Sequence, residues 1–271
     1  MAAQPGGPDA AATYDAAAAS YERALSVNAS AARRLVAALP RRPVDTVVDL
    51  GCGTGFASLA AVDLLAPRDI VGVDASAEML ARYRERLLKT RARVRPIQAA
   101  IENVPLPDGV ASVVLATMVL QWLDDRAPAI SEAARLLADD GWLGVMVPAE
   151  GADREFHEVL RALDPAPPAS WMVVEQSRTL SPDSLVAMLE SAGFTIEDRW
   201  IEERAQTVRA GELVERMMLV GAHVFPVPAD DPRIWERVGH ALQQRAGPTG
   251  FDYTFRKLFV TGRRTASVGE G

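Results

Sequence analysis

A glycine-rich segment at residues 47–55 constrains the fold of this chain more than any other feature. It reads Val-Val-Asp-Leu-Gly-Cys-Gly-Thr-Gly, so an apolar run and an acid precede three glycines at alternate positions, and a helical pattern follows. This order predicts a buried strand, a tight loop and a helix N-terminus, an arrangement that commonly holds a nucleoside-containing cofactor. A second acid, Asp74, ends the next apolar run, close to the offset of about 20 residues expected of a ribose-binding acid.

The rest of the sequence alternates between short apolar runs and segments with helical periodicity. Buried strands are predicted at 45–50, 69–73, 93–98, 110–117 and 141–147, with later strands at 194–201 and 251–260. Helices are predicted from Thr13 onward and then at about 29–39, 55–66, 76–89, 126–138, 181–192, 211–224 and 231–244. Strands that alternate with helices favour an α/β fold, in which right-handed crossovers build a parallel sheet covered by helices on both faces.

The domain organisation follows from breaks in this alternation. Residues 1–12 are rich in Ala, Gly and Pro and are predicted to be a disordered leader, and 264–271 to be a tail. Residues 13–263 are predicted to form one domain, which begins with N-terminal helices at 13–40. Two segments interrupt its rhythm: 148–180, predicted to be a lid over the ligand edge of the sheet, and 208–248, predicted to be a helical insert.

Composition narrows the class of protein and of partner. With 271 residues, 49% of them hydrophobic, the chain has enough apolar surface for a packed core. The net charge of −7 argues against a nucleic-acid partner, and Arg82, Arg84 and Arg86, with acids among them, are interpreted as a solvated helix face. No apolar run reaches the roughly 18 to 20 residues of a membrane span. The single cysteine, Cys52, gives no sign of an oxidising compartment, so we expect a soluble cytoplasmic protein with a small-molecule substrate and no bound metal.

The residues around the glycines discriminate between cofactors. A dinucleotide-binding loop reads G-x-G-x-x-G/A, and Phe56 stands where the last small residue would be. Asp49, two residues before Gly51, would repel a pyrophosphate but attract a cationic ammonium group. The loop therefore favours S-adenosylmethionine, which carries a sulfonium and an amino group, and disfavours an NAD-dependent oxidoreductase.

A series of motifs resembles that of the class I S-adenosylmethionine-dependent methyltransferases, and the likeness extends from about Tyr14 to Arg263. The glycine loop at 47–55 is similar to the first motif of that family. Further similar segments are Ile70–Ser76, Glu102–Gly109, Met118–Asp125 and Leu136–Val147. The resemblance implies a Rossmann-like α/β fold with a seven-stranded, mostly parallel sheet whose last strand, here 251–260, is antiparallel.

The same resemblance implies how the methionine and ribose moieties are held. The backbone of Gly51, Gly53 and Gly55 would hold the methionine moiety, with Asp49 near its ammonium group. Asp74 would accept hydrogen bonds from both ribose hydroxyls.

The adenine side of the site departs from the family pattern. Ile101 would offer its backbone N–H to the adenine, but Ala100 stands where relatives usually carry an Asp that accepts from the adenine amino group. Losing one neutral hydrogen bond costs about 1 kcal/mol, and Glu102 is the proposed compensation. The other residues expected at the cofactor are Cys52, Ala75, Met79, Thr117, Met118 and Tyr21.

The predicted reaction is an in-line displacement in which alignment and exclusion of water supply most of the catalysis. A carboxylate acceptor needs no base, whereas a phenol, an amine or a carbon acid does. His157, on the predicted lid, is the candidate base. The residues predicted to contact the acceptor are Tyr14, Gln121, Trp122 and Trp171. Packing into the core is the alternative role for Tyr14, Tyr21 and Trp122.

The acceptor is left open between two chemical classes. The Leu-Gln-Trp run at 120–122 is similar to one in bacterial methyltransferases that esterify small carboxylic acids, the trans-aconitate and malonyl-thioester types among them. The aromatic and methionine residues of the lid and insert fit an apolar acceptor equally well. We expect methyl transfer to a small molecule in specialised metabolism. The alternative is an enzyme of this fold that binds the same cofactor but catalyses a non-methylating reaction such as a cyclisation.

Overall fold

The computed structural model describes residues 26–171, 178–221 and 231–265. The predicted leader, the first helical pattern with Tyr14 and Tyr21, and nearly all of the C-terminal tail lie outside the described residues. So do short stretches of the predicted lid and insert.

Most helices and strands begin and end within three residues of the predicted positions. The strand predicted at 141–147 begins at Leu137, and those predicted at 194–201 and 251–260 continue to Val208 and Arg264. The helices are α1 (Ser26–Ala38), α2 (Phe56–Leu65), α3 (Ala77–Leu87), α4 (Ala127–Leu136), α5 (Arg154–Arg161), α6 (Pro182–Ser191), α7 (Ala210–Gly221) and α8 (Ile234–Arg245). The strands are β1 (Thr46–Leu50), β2 (Asp69–Asp74), β3 (Arg93–Gln98), β4 (Ala111–Thr117), β5 (Leu137–Pro148), β6 (Phe194–Val208) and β7 (Phe251–Arg264). Within these ranges, no helix has the length and apolar character that crossing a membrane requires.

The seven strands form one sheet in the order β3-β2-β1-β4-β5-β7-β6. Strands β1 to β5 pair in parallel, and β7 is antiparallel to both of its neighbours, β5 and β6. The predicted α/β fold with an antiparallel last strand is therefore confirmed. Because the strand order reverses between β1 and β4, their carboxyl ends form the switch point at which open α/β sheets bind ligands.

Helices cover both faces of the sheet. Val47 of β1 belongs to a hydrophobic cluster with residues of α1, α2 and α3. Val48 belongs to a second cluster with residues of α4 and α6 on the opposite face, as the alternation of side chains along a strand requires. The prediction that 93–98 is a buried strand is wrong. This segment forms β3, an edge strand with a single neighbour, and its Arg93 and Arg95 are exposed.

The segments predicted as lid and insert pack together in a separate hydrophobic cluster, which we call the cap. It consists of α5, α7, α8, Trp171 and residues 251–255 of β7. Strand β7 runs past the end of β5, where Lys257 pairs with Pro148, and β6 follows it to Val208. The cap therefore stands beyond the carboxyl end of β5, beside the switch point.

Candidate cofactor and acceptor site

The three loop glycines adopt left-handed backbone conformations that disfavour other residues. Their φ angles are +64° at Gly51, +51° at Gly53 and +89° at Gly55. A Cβ on Gly51 would lie 2.3 Å from Cγ2 of Val119, so close packing from the β4 side requires a glycine there. A Cβ on Gly53 would meet no atom within 4 Å. The loop thus leaves an open space at Gly53 that a ligand can approach closely.

Asp49 is a buried carboxylate at the switch point. It is fully buried on β1, and the hydroxyl of Ser58 donates to its Oδ2 over 2.7 Å. Its Oδ1 has no hydrogen-bond partner among the described residues. Burial raises the pKa of Asp49 to about 7, against the lowering effect of the Ser58 hydrogen bonds. An ammonium group would satisfy Oδ1 and stabilise the charged form, so this residue fits a cationic ligand.

Asp74 ties the glycine loop to the start of α3. Its Oδ2 accepts from the backbone N–H of Gly53 over 2.8 Å, and its Oδ1 accepts from that of Ser76 over 2.9 Å. The hydroxyl of Ser76 caps α3 by accepting from the backbone N–H of Met79 over 3.1 Å. These bonds hold the Asp74 carboxylate at the carboxyl end of β2, beside the glycine loop, and its hydrogen bonds to ribose hydroxyls stay a prediction.

The glycine loop includes Cys52, which the sequence placed at the cofactor, and packs against Tyr83 and Arg86, which the sequence did not single out for this role. Tyr83 is fully buried and fills the space that the absent side chains of Gly55 and Gly72 leave. Cys52 is buried as well, and this burial raises the pKa of its thiol, which fits a packing role. Arg86 donates from Nε to the backbone oxygen of Thr54 over 2.6 Å.

The interpretation of the α3 arginines as a solvated face is wrong for one of them. Besides its bond to the loop, the Arg86 guanidinium lies 3.9 Å above the centre of the Phe56 ring. Arg82 pairs with Glu78 one turn away, over 3.5 Å, as a solvated face predicts. A helix projection places both on the same side of α3 and cannot show that the glycine loop folds back over Arg86.

The loop predicted to face the adenine is fixed to both β2 and α4. The backbone N–H of Ala99 donates to the backbone oxygen of Asp74 over 3.1 Å, which keeps residues 99–101 beside the end of β2. Ala100 is exposed and Ile101 is buried. Farther along, Glu132 accepts from the backbone N–H of Val104 over 2.6 Å. Ala75 and Glu102 flank this region, and their cofactor contacts stay predictions.

The end of β4 carries an unusual backbone conformation. Met118 has a φ of +55°, which costs a non-glycine residue free energy and is typical of functional sites. Its carbonyl accepts from Nε1 of Trp122 over 3.2 Å, and Thr117 before it is half-buried. Gln121 is buried, and its Oε1 has no partner within the described ranges. Arg178 lies 4.8 Å above the Trp122 ring and donates to the backbone oxygen of Gln121.

Two predicted site residues lie inside the cap. His157 is 4% exposed, and its Nδ1 lies 3.0 Å from the backbone oxygen of Asp153. Trp171 is fully buried, with its ring 5.1 Å from that of Trp235. The structure therefore brings Asp49, the glycines, Asp74 and Met118 to the switch point, whereas these two residues belong to the cap. Their roles as base and acceptor contact stay predictions.

Comparison with known proteins assigns the family. A family model described as "Methyltransferase domain" matches residues 48–145, which run from β1 into β5. The chain is 30% identical over 262 residues to malonyl-[acyl-carrier protein] O-methyltransferase of Geobacter sulfurreducens, covering 94% of this chain and 95% of that relative. It is 32% identical over 190 residues to trans-aconitate 2-methyltransferase of an Azoarcus species, covering 63% and 72% of the two chains.

Solved structures share the fold. The YcgJ protein of Bacillus subtilis superposes with a TM-score of 0.60 at 20% identity, over 88% of this chain and 100% of that one. Geranyl diphosphate methyltransferase, in complex with S-adenosylmethionine, gives 0.55 at 14% identity, over 88% and 85%. Together with the relative that matches nearly end to end and a site that suits a cationic ligand, these findings show that the chain belongs to the class I S-adenosylmethionine-dependent methyltransferases, enzymes whose methyl donor is S-adenosylmethionine.

Proposed function

We propose that this methyltransferase esterifies a carboxyl group of a small molecule in specialised metabolism. The names of both relatives specify acceptors that carry carboxyl groups, malonyl-[acyl-carrier protein] and trans-aconitate. The chain is about equally similar to the two, at 30% and 32% identity. This balance supports a shared reactive group together with an acceptor skeleton of its own.

The observation that carries the donor half of the proposal is the unpartnered Oδ1 of buried Asp49. When bound, S-adenosylmethionine supplies a methyl group on a positively charged sulfur. Asp49 would hold the ammonium group, the backbone of the glycine loop would enclose the rest of the methionine moiety, and Asp74 would hold the ribose. Because these groups are fixed before binding, they orient the methyl group without further reorganisation.

The acceptor half requires little of the protein. A carboxyl group with a pKa near 4 is ionised at neutral pH, so its oxygen can attack the methyl carbon in line with the departing sulfur without losing a proton first. The chain then has to align the two reactants and exclude water. Such an acceptor is consistent with His157, the predicted base, lying in the cap with Nδ1 against a backbone carbonyl.

The test is methyl transfer from labelled S-adenosylmethionine to a panel of aliphatic and aromatic carboxylic acids. Each acid is paired with the amide, phenol or amine of matching shape. We expect label in the acids as base-labile methyl esters, with one S-adenosylhomocysteine formed per ester. Label in a base-stable product would refute the carboxyl assignment, and conversion of an acceptor without S-adenosylhomocysteine would refute methyl transfer.

A further inference from the structure

A charged residue interrupts an apolar stripe along β7. Side chains on one face of this strand alternate as Phe251, Tyr253, Phe255, Lys257 and Phe259, and all are buried. The first three belong to the cap, and Phe259 packs under α1. Lys257 therefore lies at the junction between the cap and the sheet, with 8% of its surface exposed.

This junction borders the switch point. Lys257 pairs with Pro148 at the carboxyl end of β5, and its neighbour Phe259 shares a cluster with Met146 of β5 and with Met118. Strands β4, β5 and β7 are adjacent and about 4.8 Å apart, and Thr117 at the end of β4 is level with Met146 and Phe259. Lys257 is therefore about 10 Å across the sheet and about 7 Å farther along, or about 12 Å from the end of β4. An acceptor that extends about 12 Å from the end of β4 would reach it.

The charges around Lys257 leave an excess of cations. Its ammonium donates to Oδ1 of Asn28 and forms no ion pair within the described parts of the chain. Four charged groups influence it from the surrounding elements: Arg34, Asp153, Glu202 and Arg216. Glu202 is already paired with Arg34, which donates to both its oxygens over 2.7 and 2.6 Å. Asp153 already accepts from the hydroxyl of Tyr253.

Arg216 of α7 is the second cation at this junction. Its guanidinium lies 4.2 Å from the centre of the Phe255 ring and 5.5 Å from that of Tyr253, over the strand face that carries Lys257. Successive side chains on one face of a strand are about 7 Å apart. A carboxylate is large enough to accept from Lys257 through one oxygen and from Arg216 through the other.

We infer that Lys257 and Arg216 form a subsite that binds a carboxylate of the acceptor. This inference rests on the proposed function for the identity of the ligand, but the subsite is present whichever acid is methylated. Burial, followed by the charges of Arg216 and Arg34, lowers the pKa of Lys257 to about 7. A bound carboxylate raises this pKa, so binding of the anion takes up a proton near neutral pH.

The chain offers a direct test because it contains two lysines, Lys257 and the exposed Lys89. The full-length protein is labelled with trace acetic anhydride between pH 6 and 9, and acetylation of each lysine is followed by mass spectrometry. Succinate is the probe, and succinamide and sodium chloride at matched ionic strength are the controls. Phosphate in a separate arm tells a carboxylate site from a general anion site.

We expect succinate to raise the pKa of Lys257 by about one unit, which at pH 7 lowers its neutral fraction and its labelling about fivefold. Labelling of Lys89 should not change. Arg216→Gln should raise the pKa of Lys257 in the absence of succinate and abolish the response to succinate. Arg209→Gln, on an exposed residue just before α7 that pairs with Glu212, should leave the response intact.

Three results would overturn the inference. They are an unchanged Lys257 in 50 mM succinate, an equal effect of sodium chloride or phosphate, and a full response in a folded Arg216→Gln protein. Because the labelling requires no methyl transfer, these results are independent of whether a carboxylic acid proves to be the acceptor.

Discussion

Replacing Asp49 with Asn should make the cofactor-free protein more stable at pH 8 while it weakens cofactor binding. The pKa of Asp49 is raised from 3.8 to about 7 by burial, so the folded state holds this proton more tightly than the unfolded chain. Stability from this group is therefore full below about pH 4, falls as the pH rises toward 7, and is lost above it. At about 1.4 kcal/mol per pKa unit, the buried charge costs about 4 kcal/mol at pH 8.

The asparagine variant does not bury a charge, but it buries an additional polar group. Its amide can still accept from Ser58, yet its NH₂ group must be buried without a known acceptor, at a cost of about 1 to 3 kcal/mol. The net gain at pH 8 is then about 1 to 3 kcal/mol, and at pH 4, where the wild-type carboxyl is neutral, it becomes a loss.

Urea unfolding of cofactor-free wild type and Asp49→Asn at pH 4 and pH 8 checks this change of sign. Asp69→Asn is the matched control because Asp69 is also a buried strand aspartate, but hydrogen bonds from Arg93 lower its pKa. That variant should lose stability at pH 8. If Asp49→Asn were less stable than wild type at pH 8, burial of the charged carboxylate would not lower the free energy of unfolding. The argument that Asp49 forms a site for a cationic ligand would then fail.

The other predictions concern the loop that surrounds Asp49. Asp74→Ala should weaken cofactor binding by about 1 to 3 kcal/mol, because it unpairs the N–H groups of Gly53 and Ser76 as well as the ribose; an unchanged dissociation constant by calorimetry would contradict this role. Gly53→Val should abolish binding in a protein that still folds, since its Cβ would enter the open space proposed for the ligand, meets no protein atom within 4 Å, and costs the fold only the backbone strain of a φ of +51°. Gly51→Val, whose Cβ would clash with Val119, should instead lower the melting temperature sharply; equal melting temperatures would refute this distinction. Arg86→Ala should weaken cofactor binding by about 1 kcal/mol, whereas Arg84→Ala, on an exposed residue of the same helix, should not. Equal affinities of the two variants would exclude a role of the Arg86 hydrogen bond in holding the loop for the cofactor.

Local sequence patterns predicted the strands themselves and the glycine loop. Hydrophobic runs and glycine spacing are local properties, so they predicted β1, the loop and α2 to within a residue or two. They could not give the order of the strands, and so Arg93 and Arg95 were placed in a buried strand that is in fact at the edge. The role of Arg86 could not be predicted either, because its partner Thr54 is 32 residues away in the sequence.

The sequence around Lys257 contains a signal of a buried charge that local hydrophobic patterns do not reveal. A lysine in phase with Phe251, Tyr253, Phe255 and Phe259 marks a buried charge on an apolar strand face. The function of this lysine depends on Arg216. That residue lies on α7, and only the folded structure shows that it is close to the same strand face. The lid and insert were recognised as apolar, but their common core could not be inferred from two separate patterns.

The central claim is that buried Asp49 binds the cationic end of S-adenosylmethionine. Calorimetry of cofactor binding at pH 6 and pH 7, in two buffers of different ionisation enthalpy, tests it most directly. Because the free carboxyl has a pKa of about 7 and a bound ammonium group lowers it, affinity should rise about fivefold between these two pH values, with release of a proton. Asp49→Asn should lose both effects. Affinity that is the same at both pH values in the wild type, with no proton released, would contradict the account.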